Sequence, residues 1–196
     1  MTTFFDPIKH RYFLNDRPVV SVTQVLRDLI PGWSASDWYL ARGRSVHACA
    51  AFVARGKNFE YPPEIAGQVA ALRQFFAEVK PTMAVVELSV YSLRNQYAGT
   101  LDILTHKPGT NELMVLDFKA SLTRSVPFQV AAYAQAYEDQ CGGNIKWGVG
   151  VEIGEDGKYR MGTIMDIRIY KRKFLALLSA YHSRRECGIK ETKEDQ

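Results

Sequence analysis

At Thr82 the hydrophobic period of the chain changes. Upstream, apolar residues recur at helical spacing. Downstream, three stretches alternate with a period of two, the mark of β-strands. These are Met83–Ser92, Gln96–His106 and Glu112–Lys119, parted by the turn residues Arg94-Asn95 and Lys107-Pro108-Gly109-Thr110. Consecutive strands with short turns commit the chain to a sheet, and the helices on either side in sequence must cover it. The last two strands hold an anomaly. Asp102 and Asp117 stand where the pattern asks for apolar residues, and Lys119 follows two residues later.

The rest of the chain fits around that sheet. Arg11–Leu14 and Pro18–Val20 flank Asn15-Asp16 and predict a hairpin. Ser21 or Thr23 caps a short helix that Pro31-Gly32 stops. Ser34 or Ser36 caps the next, running to about Ala54 with Trp38, Val46, Ala50 and Val53 in its buried stripe. Pro62-Pro63 opens a third helix, which Pro81 closes. After the three strands, a helix is expected from about Pro127 to Gln140. Strands at Lys146–Ile153 and Tyr159–Met165 follow, then a helix from about Arg168 to Glu186. The fold class is α/β (α+β), a central mixed sheet flanked by helices. We expect one domain over residues 1–196: a hairpin and helices over 1–80, the sheet core over 82–165, a C-terminal helix over 168–187 and a frayed tail over 188–196.

Alternation puts Leu113, Val115, Asp117 and Lys119 on one face of their strand, and Thr100, Asp102 and Leu104 on one face of the strand before. One pairing register brings Asp102 close to Asp117 and Lys119. Two carboxylates on a mostly buried sheet repel each other and lose hydration, which raises the pKa of one unless a cation neutralises them. One lysine cannot balance both; a divalent ion can, and oxygen ligands suit Mg²⁺ or Mn²⁺. The plain alternative is an Asp117–Lys119 ion pair at a strand end with Asp102 at a turn.

Composition sets outer bounds. Hydrophobic residues make up 46% and charged residues 23% of 196, as in ordinary globular proteins, and the net charge of +4 permits a polyanionic partner without requiring one. Three scattered cysteines form no disulfide framework and point to a reducing compartment. The N-terminus lacks the apolar run of a signal peptide, and no stretch approaches the ~20 apolar residues of a membrane span. A cytoplasmic protein without a membrane partner is expected.

Gly99-Thr-Leu-Asp102, then Asp117-Phe-Lys119, then Gln129-Val-Ala-Ala-Tyr133 resembles the core of the PD-(D/E)xK nuclease superfamily. The order is closest to its RecB-type exonuclease branch. Arg42-Gly43 followed by His47 resembles that branch's histidine motif, and Glu87 lies where these families often carry an extra acid. The resemblance spans about two thirds of the chain, Tyr12 to Tyr137. It implies that Asp102 and Asp117 bind one or two Mg²⁺ or Mn²⁺ ions with the main-chain carbonyl of Phe118, and that His47 completes the shell. Glu87 adds a further ligand. Lys119 orients or activates the attacking water, and Gln129 and Tyr133 hold the motif or the DNA. The second acid is Asp rather than the commoner Glu, a departure the RecB-type branch often shows.

Other residues carry weaker expectations. Arg42 and Arg44 are candidate phosphate contacts, or partners of acids such as Asp37. Arg94, Arg124, Lys171, Arg172, Lys173, Arg184 and Arg185 are candidates for a backbone-binding surface. Tyr12, Phe13, Trp33, Trp38 and Tyr39 divide between core packing and base stacking. His10, His106 and His182 match no motif and are taken as surface residues. No GxxxxGK[ST] motif is present, so no ATP motor is expected, and no cysteine quartet for an iron–sulfur cluster. The function implied is metal-dependent exonuclease action on single strands or duplex ends of DNA, in phage or bacterial recombination, repair or degradation. A recombination or single-strand-binding protein would be its partner. A structure-specific or nicking endonuclease, and a non-catalytic module with this fold, are the alternatives. A glycosidase is set aside because Lys119 stands beside the carboxylates.

Overall fold

The computed structural model describes residues 2–30 and 37–189, with the backbone alone at 37–42, 44 and 83–84. In chain order it contains β1 (Thr3–Asp6), β2 (Arg11–Leu14), β3 (Arg17–Ser21), α1 (Val22–Leu29) and α2 (Asp37–Ala54). A 3-10 turn (Pro63–Ile65) leads to α3 (Ala66–Val79), then β4 (Met83–Ser92), β5 (Tyr97–His106) and β6 (Leu113–Lys119). The chain continues through α4 (Val126–Cys141), β7 (Trp147–Ile153), β8 (Tyr159–Met161), β9 (Met165–Asp166) and α5 (Arg168–Glu186).

The sheet is mixed, and β5 is its axis. β4 pairs with β5 antiparallel from Met83↔Thr105 to Ser92↔Tyr97. The other edge of β5 is shared. β3 meets its start in parallel (Val20↔Tyr97, Ser21↔Ala98), and β6 meets its end antiparallel (Ile103↔Leu116 to His106↔Leu113). Residues 99–102 lie between these two partners, where the sheet opens. β6 then pairs in parallel with β7, from Met114↔Trp147 to Lys119↔Glu152, with α4 as the crossover.

Helices cover both faces. Leu104 and Val115 pack with Val25 and Leu26 of α1, Val130 and Ala134 of α4, and Phe174 and Leu178 of α5. Ile103, Met114, Leu116 and Phe118 pack with Val46 and Ala50 of α2 and with Val69, Leu72 and Phe75 of α3. The alternation of β6 is thus split between two cores. No helix among the described residues is long and apolar enough to cross a membrane.

Ser21, rather than Thr23, caps α1. Its hydroxyl accepts from the Gln24 N–H (3.1 Å) while Gln24 Oε1 accepts from the Ser21 N–H (2.8 Å), a reciprocal capping box. The expected caps of α2, Ser34 and Ser36, lie outside the described residues, as does the tail from 190. Two features depart from expectation. β1 is an extra strand, four residues long and too short to show alternation; Phe5 stacks on Tyr12 at 4.6 Å to hold it. The expected strand Tyr159–Met165 is two pieces, because the register slips from Val151↔Met161 to Gly148↔Met165. Between them the Gly162 N–H donates to the Gly150 carbonyl at 2.9 Å.

Candidate metal centre

Three neighbouring strands each bring one acid to the opening beside β5. The β5–β6 register, continued one residue past Ile103↔Leu116, sets Asp102 opposite Asp117. The β4–β5 register steps from Val86↔Ile103 to Leu88↔Leu101 and so sets Glu87 opposite Asp102. Residues opposite each other project to the same face. The three carboxyl groups therefore form a row across the strands.

The row is tied in from several sides. Beyond the last ladder pair, the Phe118 N–H donates to Asp102 Oδ2 at 2.6 Å, so a side chain stands in for the next strand's acceptor. Asp102 Oδ1 lies 2.8 Å from Nδ1 of His47 on α2. Ligand atoms of His47, Glu87 and Asp102 all fall within 4.8 Å of one another. Lys119 Nζ lies 2.6 Å from Asp117 Oδ2. Glu87 has φ +52°, in the left-handed region that non-glycine residues avoid. Strain of this kind gathers where a side chain must be aimed.

The electrostatics show a surplus of acid. Burial and the Asp102 charge push Glu87 up to about 7. Burial pushes Asp117 up to about 6, against the opposing pull of Lys119. For His47 burial works against the charge, but the Asp102 carboxylate outweighs it and the pKa is raised. Glu87 Oε1 and Asp117 Oδ2 are buried without a hydrogen-bond partner among the described residues. Lys119 Nζ, 2.6 Å away, pairs Asp117 Oδ2 by charge. Buried carboxylate oxygens left in this state, beside an imidazole, suit a divalent cation such as Mg²⁺ or Mn²⁺.

The other expected site residues fall into two groups. Gln129 and Tyr133 on α4 are 2% and 4% exposed, and the Gln129 Nε2 donates to the Tyr133 hydroxyl at 2.8 Å. They sit inside the fold, with the Tyr133 ring against Gly99, three residues before Asp102. Arg42 and Arg44 lie on α2, and their side chains, with those of Trp38 and Tyr39, are outside the described residues, as is Trp33. Lys171 does not join a surface. It is 7% exposed and bonds Glu138 at 2.7 Å, which pins α5 to α4. Arg184 reaches the Asp28 carbonyl at 3.3 Å, whereas Arg94, Arg124, Arg172 and Lys173 are exposed.

The motifs pass over a second row, of hydroxyls. The Tyr12 OH bonds Thr100 Oγ1 at 2.9 Å, and Ser89 Oγ lies 3.3 Å from the same oxygen. Thr100 precedes Asp102 by two residues and Ser89 follows Glu87 by two, so spacing puts each hydroxyl on the face of its acid, while the contact between them comes from the register. Tyr12 is 2% exposed, and burial pushes its hydroxyl up to about 12. It packs in the core and presents no stacking platform.

Beside the acids, His47 and Lys119 also line a small open cleft of about 90 Å³ between α2, α3, the end of β6 and the β7–β8 turn. The turn is seated directly on α3: a Cβ at Gly67 would fall 1.8 Å from the Glu155 carbonyl oxygen.

No protein-family model matches the chain, and no curated protein does. Among solved structures it is similar to a candidate exonuclease from Eubacterium rectale. The TM-score is 0.53 at 13% identity, covering 88% of this chain and 83% of the other. Two structures of LHK-Exo, an alkaline exonuclease from Laribacter hongkongensis, align at TM-scores of 0.42 (with dAMP bound) and 0.39. Their identities are 12% and 13%, over 87% and 88% of this chain and 93% and 95% of theirs. At this identity the likeness to the Eubacterium rectale protein is one of fold, in this chain a central mixed sheet with helices on both faces.

Proposed function

We propose that the chain is a metal-dependent nuclease that hydrolyses phosphodiester bonds in DNA, working from an end. The observation that carries this reading is the row Glu87, Asp102 and Asp117, with a buried oxygen of Glu87 and of Asp117 that no hydrogen-bond donor meets, His47 on Asp102 and Lys119 on Asp117. The fold shared with a candidate exonuclease supports it. His47, Glu87, Asp102 and Asp117, with the Phe118 carbonyl, would hold one or two Mg²⁺ or Mn²⁺ ions. When bound, such an ion offsets negative charge on the scissile phosphate and activates water.

The chain's own residues do the rest. Lys119, 17% exposed in its side chain, carries its ammonium from Asp117 to the edge of the cleft, where it meets phosphate oxygens and the attacking water. Asp102 is held by the Phe118 amide and by His47, so it keeps its aim without reorganising. Gln129 and Tyr133 brace Gly99 from behind and fix the start of the Asp102 strand. Arg42 and Arg44 are proposed as phosphate contacts. The substrate is a single strand or duplex end, in phage or bacterial recombination, repair or degradation, alongside a recombination or single-strand-binding protein.

The test is a digest with Mg²⁺ or Mn²⁺ of end-labelled linear single and double strands beside a covalently closed circle. Degradation of the linear strands with the circle intact is expected, and a chelator should stop it. A nicked or linearised circle would move the reading to an endonuclease. No cleavage of any DNA with either metal would overturn it.

A further inference from the structure

The strands β1, β2 and β3 turn one face inward and one outward. Inward, Phe5, Tyr12 and Val19 lie opposite one another and pack with Tyr91 and Ala98. Outward, register sets Phe4, Phe13 and Pro18 in one row across all three strands. The Phe4 and Phe13 rings lie 5.9 Å apart, tilted by 38°. Phe4 is 59% exposed, Ile8 in the β1–β2 turn is 94% exposed, and Pro18 is exposed; Phe13 is half-buried. An open ring removes little apolar surface from water, so packing gives no reason for Phe4 to be there.

Cations surround the row. Arg11 precedes Phe13 by two residues and shares its face, Lys9 stands in the turn before it, and Arg17 adjoins Pro18. All three are exposed, and none forms an ion pair among the described residues. Asp6, opposite Arg11, accepts instead from the Ile8 and Lys9 N–H groups at 2.9 and 3.0 Å. An apolar partner would cover the rings and leave the cations without counter-charge. A ligand that is anionic along its length and carries flat apolar faces answers both, and a single nucleic-acid strand is such a ligand. In a duplex the same faces are stacked inside.

We propose that the outer face of this hairpin is a stacking platform for single-stranded DNA, with a base on the Phe4 ring and with Lys9 and Arg11 on backbone phosphates. The platform is apart from the metal centre and on the other side of the hairpin, whose inner face meets Thr100, two residues before Asp102, through Tyr12. It binds a strand with or without cleavage. Resting on the nuclease reading, it also makes the single strand, rather than the duplex end, the substrate that the protein holds.

The test is fluorescence anisotropy of the full chain, in chelator so that nothing is cut, with a labelled oligothymidylate of about 15 nucleotides and with a duplex of the same length. Phe4→Leu keeps apolar bulk without a flat face, whereas Phe4→Trp keeps the face. Phe4→Leu should weaken the single strand by at least about fivefold, and Phe4→Trp should bind it at least as well as wild type does. Both should leave duplex affinity within about twofold and melt with the wild type. Arg11→Gln should reduce the slope of log affinity against log salt by about 0.7 for the single strand.

Single-strand binding by Phe4→Leu at wild-type strength would overturn the proposal, as would equal losses on strand and duplex or an unchanged salt slope in Arg11→Gln. So would a wild type that does not bind the strand. Self-association of the wild type that Phe4→Leu abolishes, with strand affinity unchanged, would make this face an interface between copies of the chain instead. The expected binding pattern in a protein that cleaves no DNA with Mg²⁺ or Mn²⁺ would uphold the platform and sink the nuclease reading; cleavage by a protein whose strand binding ignores Phe4 would do the reverse.

Discussion

The Tyr133 ring occupies the space that a side chain at position 99 would need. A Cβ on Gly99 would lie 2.4 Å from Tyr133 Cε1 and 3.3 Å from Val22 Cγ2. Two motifs thirty-odd residues apart are thus one contact. Gly99→Ala should destabilise the fold by about 1–3 kcal/mol, as overpacking does. In urea denaturation, Gly99→Ala combined with Tyr133→Leu should lose less than the two single changes added together. Strict additivity would mean that the ring and the glycine are not coupled.

Asp117 and Lys119 neutralise each other within a buried setting, yet our reading assigns each a separate task. Asp117→Ala and Lys119→Ala should each reduce cleavage by at least about 100-fold, the scale of losing one charged group at a phosphoryl site. Circular dichroism should show the wild-type fold in both. Only Asp117→Ala should also weaken Mn²⁺ binding. Wild-type cleavage by either variant would refute the assignment.

The acids also set a pH dependence. Glu87 at about 7 and Asp117 at about 6 stand above their ordinary values of 4.5 and 3.8. A carboxyl raised on folding stabilises the fold by keeping its proton. That contribution is complete below the unfolded value and is lost as pH rises through the folded one. His47, also raised, loses its contribution in the same direction. The metal-free protein should therefore melt lower at about pH 8 than at about pH 5, and added Mn²⁺ should raise the melting temperature more at the higher pH. A larger Mn²⁺ effect at the lower pH would contradict this.

Glu87 combines a left-handed backbone with a buried carboxylate oxygen that no donor meets. Both are costs to the fold. Glu87→Gly relieves the backbone and removes the charge, and should stabilise the metal-free protein by about 1–2 kcal/mol. It should also weaken Mn²⁺ binding by at least about tenfold. Thermal melts and a metal titration of the same variant check both. Loss of stability together with unchanged Mn²⁺ affinity would show Glu87 to be structural.

Much of this arrangement is legible in the sequence. Alternation around Asp102 and Asp117 predicts both strands and their facing carboxylates, because side-chain direction follows residue parity. The elements around them are legible for similar reasons: Pro81 ends a helix by lacking an N–H, and Ser21 with Gln24 spells a capping box. What sequence does not carry is contact across the sheet. The Tyr12–Thr100–Ser89 row joins three strands, and only the register brings them together. The burial of Lys171 depends on Glu138, an acid 33 residues away on another helix. β1 leaves no signal in the sequence because its alternation is too short, and neither does the break at Gly162, since a one-residue register slip leaves no mark in the pattern.

The central claim is that Glu87, Asp102, Asp117 and His47 hold a divalent ion with which the protein hydrolyses DNA. Its most direct test is the rate at which a linear DNA duplex is degraded as Mg²⁺ or Mn²⁺ is titrated into metal-free protein, for wild type beside Asp102→Asn. The account predicts no degradation without metal, a saturable rise for wild type, and a rate at least about 100-fold lower for Asp102→Asn at every metal concentration. Degradation that persists in chelator, or an Asp102→Asn curve that overlays the wild type, would contradict it.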